Sequence, residues 1–255
     1  MRIQICLSLF LYFGFIHAQS VDYKLSMPKP QNHQFHVEMT LNDFKEKTID
    51  VSLPVWAPGS YLVREFSKNI NLVKAFDEKG NPLDVHKKKK NTWTITKGKQ
   101  SKVIVKYEVY AFELSVRTSF LDLTHGFVSG SGVFMFVEDY LNVNGIVEVL
   151  PYAGFSVVST ALPSDKNEFT YTYTDYDHLV DCPIEIGNQE VFDFDAAGVK
   201  HRVAIYGDGN YSIPDLKRDM AKIIEEETKV FGQNPNEDYL FIIHNVVNGQ
   251  GGLEH

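Results

Sequence analysis

The chain has little sulfur chemistry, no excess of positive charge and, after its first eighteen residues, no long apolar run. Of its 255 residues only two are cysteines, Cys6 and Cys182. The formal net charge is −8 at pH 7. An acidic balance argues against nucleic acid as a partner. No segment after the N-terminus is apolar for the ~20 residues that a spanning helix needs, which implies no stable membrane insertion there. Motifs for hydrolytic chemistry are also missing: no His-Glu-x-x-His places two imidazoles on one helical face, and no Gly-x-Ser-x-Gly offers a serine nucleophile. Gly130-Ser131-Gly132 comes nearest to the latter, and its composition fits a hairpin turn.

What is present is the composition of a packed globular chain, with 44% hydrophobic and 13% aromatic residues. MRIQICLSLFLYFGFIHA (1–18) carries a single early cation at Arg2, an apolar stretch from Ile3 to Ile16 and a small residue at Ala18. This reads as a secretory signal peptide cleaved before Gln19, so the product is expected to be exported, periplasmic or extracellular. Cys6 would leave with it. Cys182, beside Pro183, then has no partner for an intramolecular disulfide and is expected to be a buried, unreactive thiol.

Period-two runs dominate up to Tyr206: FHVEMTL (35–41), TIDVSLPVW (48–56), TWTITK (92–97) and KVIVKYEVYAF (102–112). Such runs read as half-buried strands, separated by turn chemistry at DEKGNP (77–82) and PSDKN (163–167). The fold class expected is mainly β, an antiparallel β-sandwich-like domain over 19–206. His33 and His36 fall in one predicted strand, where alternation sends them to opposite faces. Lys87, Lys88, Lys89 and Lys90 lie between a turn and a strand, where solvated amines would discourage edge-to-edge pairing. WAPGSYLVREF (56–66) groups Trp56, Tyr61 and Phe66 around a Pro58-Gly59 turn, which is either core packing or an aromatic carbohydrate platform.

The pattern changes after Gly207. Ser212, Pro214 and Asp215 suggest a capping box, followed by Leu216, Met220, Ile223, Ile224 and Phe231 at helical spacing, with Gly232 and Pro235 as stops. Tyr239 to Ile243 reads as a buried strand. One helix and one strand cannot enclose a core, so 207–255 is expected to open a second, incomplete domain.

Several stretches together resemble one family. WAPGSYLVREFSKNI, YEVYAFELSVRTSFLDLTHGFVSGSGVFMFV (107–137), YDHLVDCPIEIG (176–187) and HNVVNGQGGLEH (244–255) are similar, in order and spacing, to the glycyl aminopeptidases of metallopeptidase family 61. That resemblance implies an N-terminal β domain, an α/β thermolysin-like zinc domain and a PDZ domain. It implies zinc in the full-length protein, held by a His-Glu-x-x-His helix and a later Glu, and none bound by this chain. The chain would therefore be an inactive N-terminal portion of an aminopeptidase acting on peptides with small first residues.

GGLEH resembles the Gly-x-Met-Glu-Asn edge strand of related aminopeptidases. The resemblance implies that Gly251, Gly252, Leu253 and Glu254 bind the peptide substrate, with Glu254 on its free α-ammonium. Glycines permit close backbone approach, and a free edge can pair with an extended peptide. His255 stands where those relatives have Asn, and Leu-Glu-His also begins a vector-encoded tag. The alternative reading is a secreted β-sandwich module that binds peptide or glycan without catalysis. No catalytic or metal residue is assigned within the chain, and the sequence leaves its oligomeric state open.

Overall fold

The computed structural model describes residues 19–60 and 62–254. The signal-peptide reading of 1–18, and any role for Tyr61 or His255, lie outside those residues. Among the described residues no helix is long and apolar enough to cross a membrane.

The chain is mainly β. Its largest sheet has ten strands, in the order Phe136–Val137, Thr48–Ser52, Thr92–Thr96, Pro82–Lys89, Ile70–Asp77, Lys102–Tyr110, Gln34–Asn42, Ser20–Ser26, Gly145–Leu150 and Thr170–Tyr173. All neighbours are antiparallel except Ser20–Ser26 and Gly145–Leu150, which run parallel. The alternation predicted for 35–41 and 102–112 is seen directly. Phe35, Val37, Met39 and Leu41 are buried and face the equally buried Val103, Val105, Tyr107 and Val109. On the other face Glu38 pairs with Lys106 at 2.8 Å. Each such apolar side chain contributes about 1.5–3 kcal/mol on burial, and this repetition carries the sheet.

A second sheet of five strands, Val157–Thr160, Ile184–Gly187, Gly126–Val128, Thr118–Leu121 and Phe112–Ser115, shares the same hydrophobic core. Gly130-Ser131-Gly132 is not a hairpin turn. It forms a short 3-10 helix on the crossing between the two sheets, because Gly126–Val128 belongs to one sheet and Phe136–Val137 to the other. The buried residues Val133, Phe134 and Met135 that follow belong to no strand. Buried backbone needs partners, and tyrosine hydroxyls supply them. Tyr107 donates to the Val133 carbonyl at 2.9 Å and accepts from Met135 N at 3.0 Å, while Tyr176 donates to the Phe134 carbonyl at 2.7 Å.

Other sequence readings need correction. His33 ends a short 3-10 helix with φ 58° instead of entering the strand, and its Nδ1 lies 2.6 Å from the Leu121 carbonyl. Of the lysine run, Lys87, Lys88 and Lys89 end the strand Pro82–Lys89 and have a ladder partner on one side only, Thr92–Thr96, while Lys90 lies just beyond the strand; Lys88 and Lys90 pair with Asp50 and Glu65. YDHLVDCP, to which the sequence pattern gives no element, contains helix α1 (Tyr176–Asp181), whose N-cap Asp175 accepts from His178 N at 2.8 Å.

A third sheet, Glu190–Ala196, Val199–Tyr206 and Asp238–His244, joins residues from both sides of position 206. Helix α2 (Ile213–Phe231) lies on it, with Ile213, Leu216 and Met220 against Phe192, Val203 and Ile205. Ser212 is the N-cap residue, yet its side chain makes no capping bond. Gly232 closes the helix with φ 84°. Asp238–His244 is half-buried where full burial was expected, because it is an edge strand that pairs with one neighbour only.

Candidate functional site

Strand register decides what the third sheet offers to the rest of the molecule. Side chains alternate across a sheet, and Val203, Ile205, Phe241 and Ile243 face helix α2. Arg202, Ala204 and Tyr206, with their register partners Leu240, Ile242 and His244, therefore face the other way. This face meets the five-stranded sheet. Arg202 donates to the Thr160 carbonyl at 3.0 Å and pairs with Asp238 at 2.5 Å, and Tyr206 donates to Thr124 at 2.9 Å.

Beyond His244 the chain turns into the glycine-rich tail. The Asn245 amide still bonds to the Tyr206 carbonyl at 2.8 Å, and after it residues 245–254 form no strand. The expected edge strand at 251–254 is thus absent from this structure. Asn248 has φ 60° and Gly251 φ 128°, and neither value continues a strand.

The tail is nonetheless placed. Gly59, with φ 67°, approaches it so closely that a Cβ there would lie 2.7 Å from Leu253 Cδ1 and 2.8 Å from the Glu254 carbonyl oxygen. Val116, in the turn between Phe112–Ser115 and Thr118–Leu121, is the nearest side chain that a Cβ at Gly251 would meet, at 3.9 Å. Tyr239 donates its hydroxyl to Glu254 Oε1 at 3.1 Å. Burial, then the Glu254 carboxylate beside it, pushes the Tyr239 phenol up to about 12, so it stays a neutral donor.

Leu253 and Glu254 line one wall of a cavity of about 350 Å³. Tyr239 and His244 line the second, and Val116, Phe127, Cys182 and Pro183 of the β domain the third. Of the four predicted binding residues, Leu253 and Glu254 therefore line a cavity to which both parts of the chain contribute, while Gly251 and Gly252 precede it in the tail without lining it. A larger concavity, about 520 Å³, lies near Asp50, Lys88 and Glu138, where hydrogen bonds and ion pairs already engage those charges.

Elsewhere in the candidate set, Cys182 is buried, and burial pushes its thiol up to about 12. It is no nucleophile at neutral pH. Trp56 in the WAPG turn is 48% exposed, whereas Phe66 is in the core. Sequence reasoning gave no role to Gly59, Tyr239, His125, Glu185 or His244. His125 and Glu185 stand within the THGF and PIEIG stretches that carried the resemblance, which was the one available signal.

Those last three residues form the one group of metal-capable side chains among the described residues, with ligand atoms within 4.8 Å of one another. They do not fit the zinc site that the fold family implies. They come from three separate segments and lack the His-Glu-x-x-His spacing. Glu185 instead meets His125 Nδ1 at 2.8 Å and His244 Nε2 at 2.7 Å, one oxygen each, which are hydrogen-bond separations.

Comparison with known proteins agrees with this architecture. The chain matches the Peptidase M61 N-terminal domain over residues 22–188. It therefore belongs to the M61 peptidase family. Among solved structures it is similar to an aminopeptidase N family protein from Idiomarina loihiensis, with 31% identity and a TM-score of 0.87. That match covers 92% of this chain and 40% of the other, so this chain spans well under half of its relative. No curated protein matches it.

Proposed function

We propose that this chain is the N-terminal part of an exported zinc-dependent aminopeptidase that releases small first residues, Gly or Ala, from peptides. Membership of a peptidase family and the likeness to an aminopeptidase N family protein support this reading. The observation that carries it is the position of Glu254. Its carboxylate is held by Tyr239 at the wall of a cavity, and Leu253 beside it rests on the Gly59 turn.

A carboxylate so placed holds the ammonium of a peptide's first residue. A charge-assisted hydrogen bond of this kind is worth about 1.5–3 kcal/mol, enough to favour a free N-terminus over an internal residue by tenfold or more. Gly251 and Gly252 leave the backbone open to a substrate's main chain, with nothing in reach of a Cβ at Gly252. The zinc that this reading calls for would be held by residues outside this chain and would activate the attacking water there. Residues of this chain orient the substrate.

The test uses the longer gene product, with wild-type and Glu254→Ala proteins assayed on glycyl-anilide and its N-acetylated form. Ten- to hundredfold lower kcat/KM on the free amine, with equal zinc content, is the expected result. Equal activity of the two proteins, or cleavage of the acetylated substrate, overturns the assignment.

A further inference from the structure

Two imidazoles and one carboxylate meet at a point that the peptidase reading leaves unused. Glu185, on the interior strand Ile184–Gly187 of the five-stranded sheet, is 0% exposed, and His125 is 1% exposed. Burying a carboxylate without partners costs several kcal/mol, so its hydrogen bonds decide whether it is tolerated. One partner, His125, immediately precedes the neighbouring strand Gly126–Val128. The other, His244, is the last residue of the strand Asp238–His244. With Glu185 ionised, both nitrogens carry the proton and donate. His125 is further stacked on Tyr206 at 3.6 Å between ring centroids and 15° between planes. Tyr206 is the register partner of His244 and donates to Thr124, next to His125.

We infer that Glu185 is a positioning residue, the joint through which the β domain fixes the end of the strand Asp238–His244 and, with it, the start of the tail. The amide after His244, that of Asn245, is bonded to Tyr206, and further along the tail Glu254 lines the same cavity as His244. Freeing His244 loosens the point from which the tail departs. What this does to substrate binding rests on the peptidase reading; the joint itself does not.

A metal ion does not account for the group as well. With metal–ligand distances of ~2.0–2.1 Å, tetrahedral geometry places ligand atoms about 3.3 Å apart. The two N···O separations, at 2.7 and 2.8 Å, are those of direct hydrogen bonds.

Hydrogen exchange by mass spectrometry on this chain tests the joint without any activity assay. Glu185→Ala, and independently the part-buried His244→Leu, should speed exchange of amides 239–245 by tenfold to a hundredfold, the loss expected for a buried bond to a charged group. Strands Gln34–Asn42 and Lys102–Tyr110 should be unchanged. His244→Gln, which keeps an N–H donor, should restore most of the protection. Unchanged exchange at 239–245 in His244→Leu, or failure of His244→Gln to restore it, overturns the inference. So does stoichiometric zinc that raises protection of the wild type but not of Glu185→Gln, since that result makes the group a metal site. A failed Glu254 assay alongside normal joint results would count against the peptidase reading alone.

Discussion

Gly59→Ala separates backbone strain from the contact that places the tail. At φ 67° any residue with a Cβ is strained, by roughly 1–2 kcal/mol. Gly98, with φ 61° and nothing within 4 Å of where its Cβ would stand, shares the strain and lacks the contact. Gly98→Ala is therefore the matched control. At Gly59 the new methyl would sit 2.7 Å from Leu253 Cδ1, a flexible tip that can swing aside. It would also sit 2.8 Å from the Glu254 carbonyl oxygen, which is backbone and moves only if the tail moves. Both variants should melt roughly 2–8 °C below wild type, since 1 kcal/mol is worth about 2–4 °C in a protein of this size. Only Gly59→Ala should release the tail. A chymotrypsin-like protease cutting after Leu253 reads this as loss of Glu-His by mass spectrometry, several-fold faster than in wild type or Gly98→Ala. Equal cleavage of the two variants would show that the Gly59 turn does not hold the tail.

The remaining predictions concern two titrating groups. In a Cys6→Ser background, Cys182 should stay unmodified by a thiol reagent at pH 8 for hours and react at once in denaturant, because its thiol is buried and pushed up to about 12; prompt labelling of the native protein would contradict the burial. The ultraviolet difference between wild type and Tyr239→Phe should show ionisation of Tyr239 near pH 12, moving back toward the ordinary tyrosine value of about 10 in Glu254→Gln. Because the folded pKa is raised, the stabilising contribution of the neutral phenol is complete below about pH 10 and lost as pH rises toward about 12. An unshifted transition would mean that Glu254 does not face the hydroxyl.

Much of the large sheet was legible because its residues alternate with the backbone. Phe35, Val37, Met39 and Leu41 announce one face, and Val103, Val105, Tyr107 and Val109 the face opposite. Helix α2 was legible from Leu216 and Met220 and from Gly232 at its end. Shorter pieces carry too few periods to read. Helix α1 has six residues, and its start depends on one Asp175 side chain. Val133 to Met135 look like any apolar run, and only the distant tyrosines reveal why they can be buried without a ladder. The joint was invisible for the same reason: Glu185 lies 60 residues from His125 and 59 from His244, and no local pattern links residues that far apart.

The tail shows how these distant contacts add up. Gly249, Gly251 and Gly252 lose more backbone freedom on ordering than any other residue type, and fixing one residue costs about 1–2 kcal/mol. A segment of this composition with no ladder cannot order itself. Its local bonds are few: Asn245 to Tyr206 and Gly249 to Val246 through the backbone, the Asn245 side chain to the Asp208 carbonyl, and Tyr239 to Glu254. The other restraints come from the β domain, where the Gly59 turn backs the far end and Glu185 holds His244 at the near end. Order in the glycine-rich tail is thus a property of the interface between the two parts. The β domain forms one wall of the cavity that Glu254 lines, so changes at Gly59 or Glu185 are expected to reach the Glu254 carboxylate without touching it.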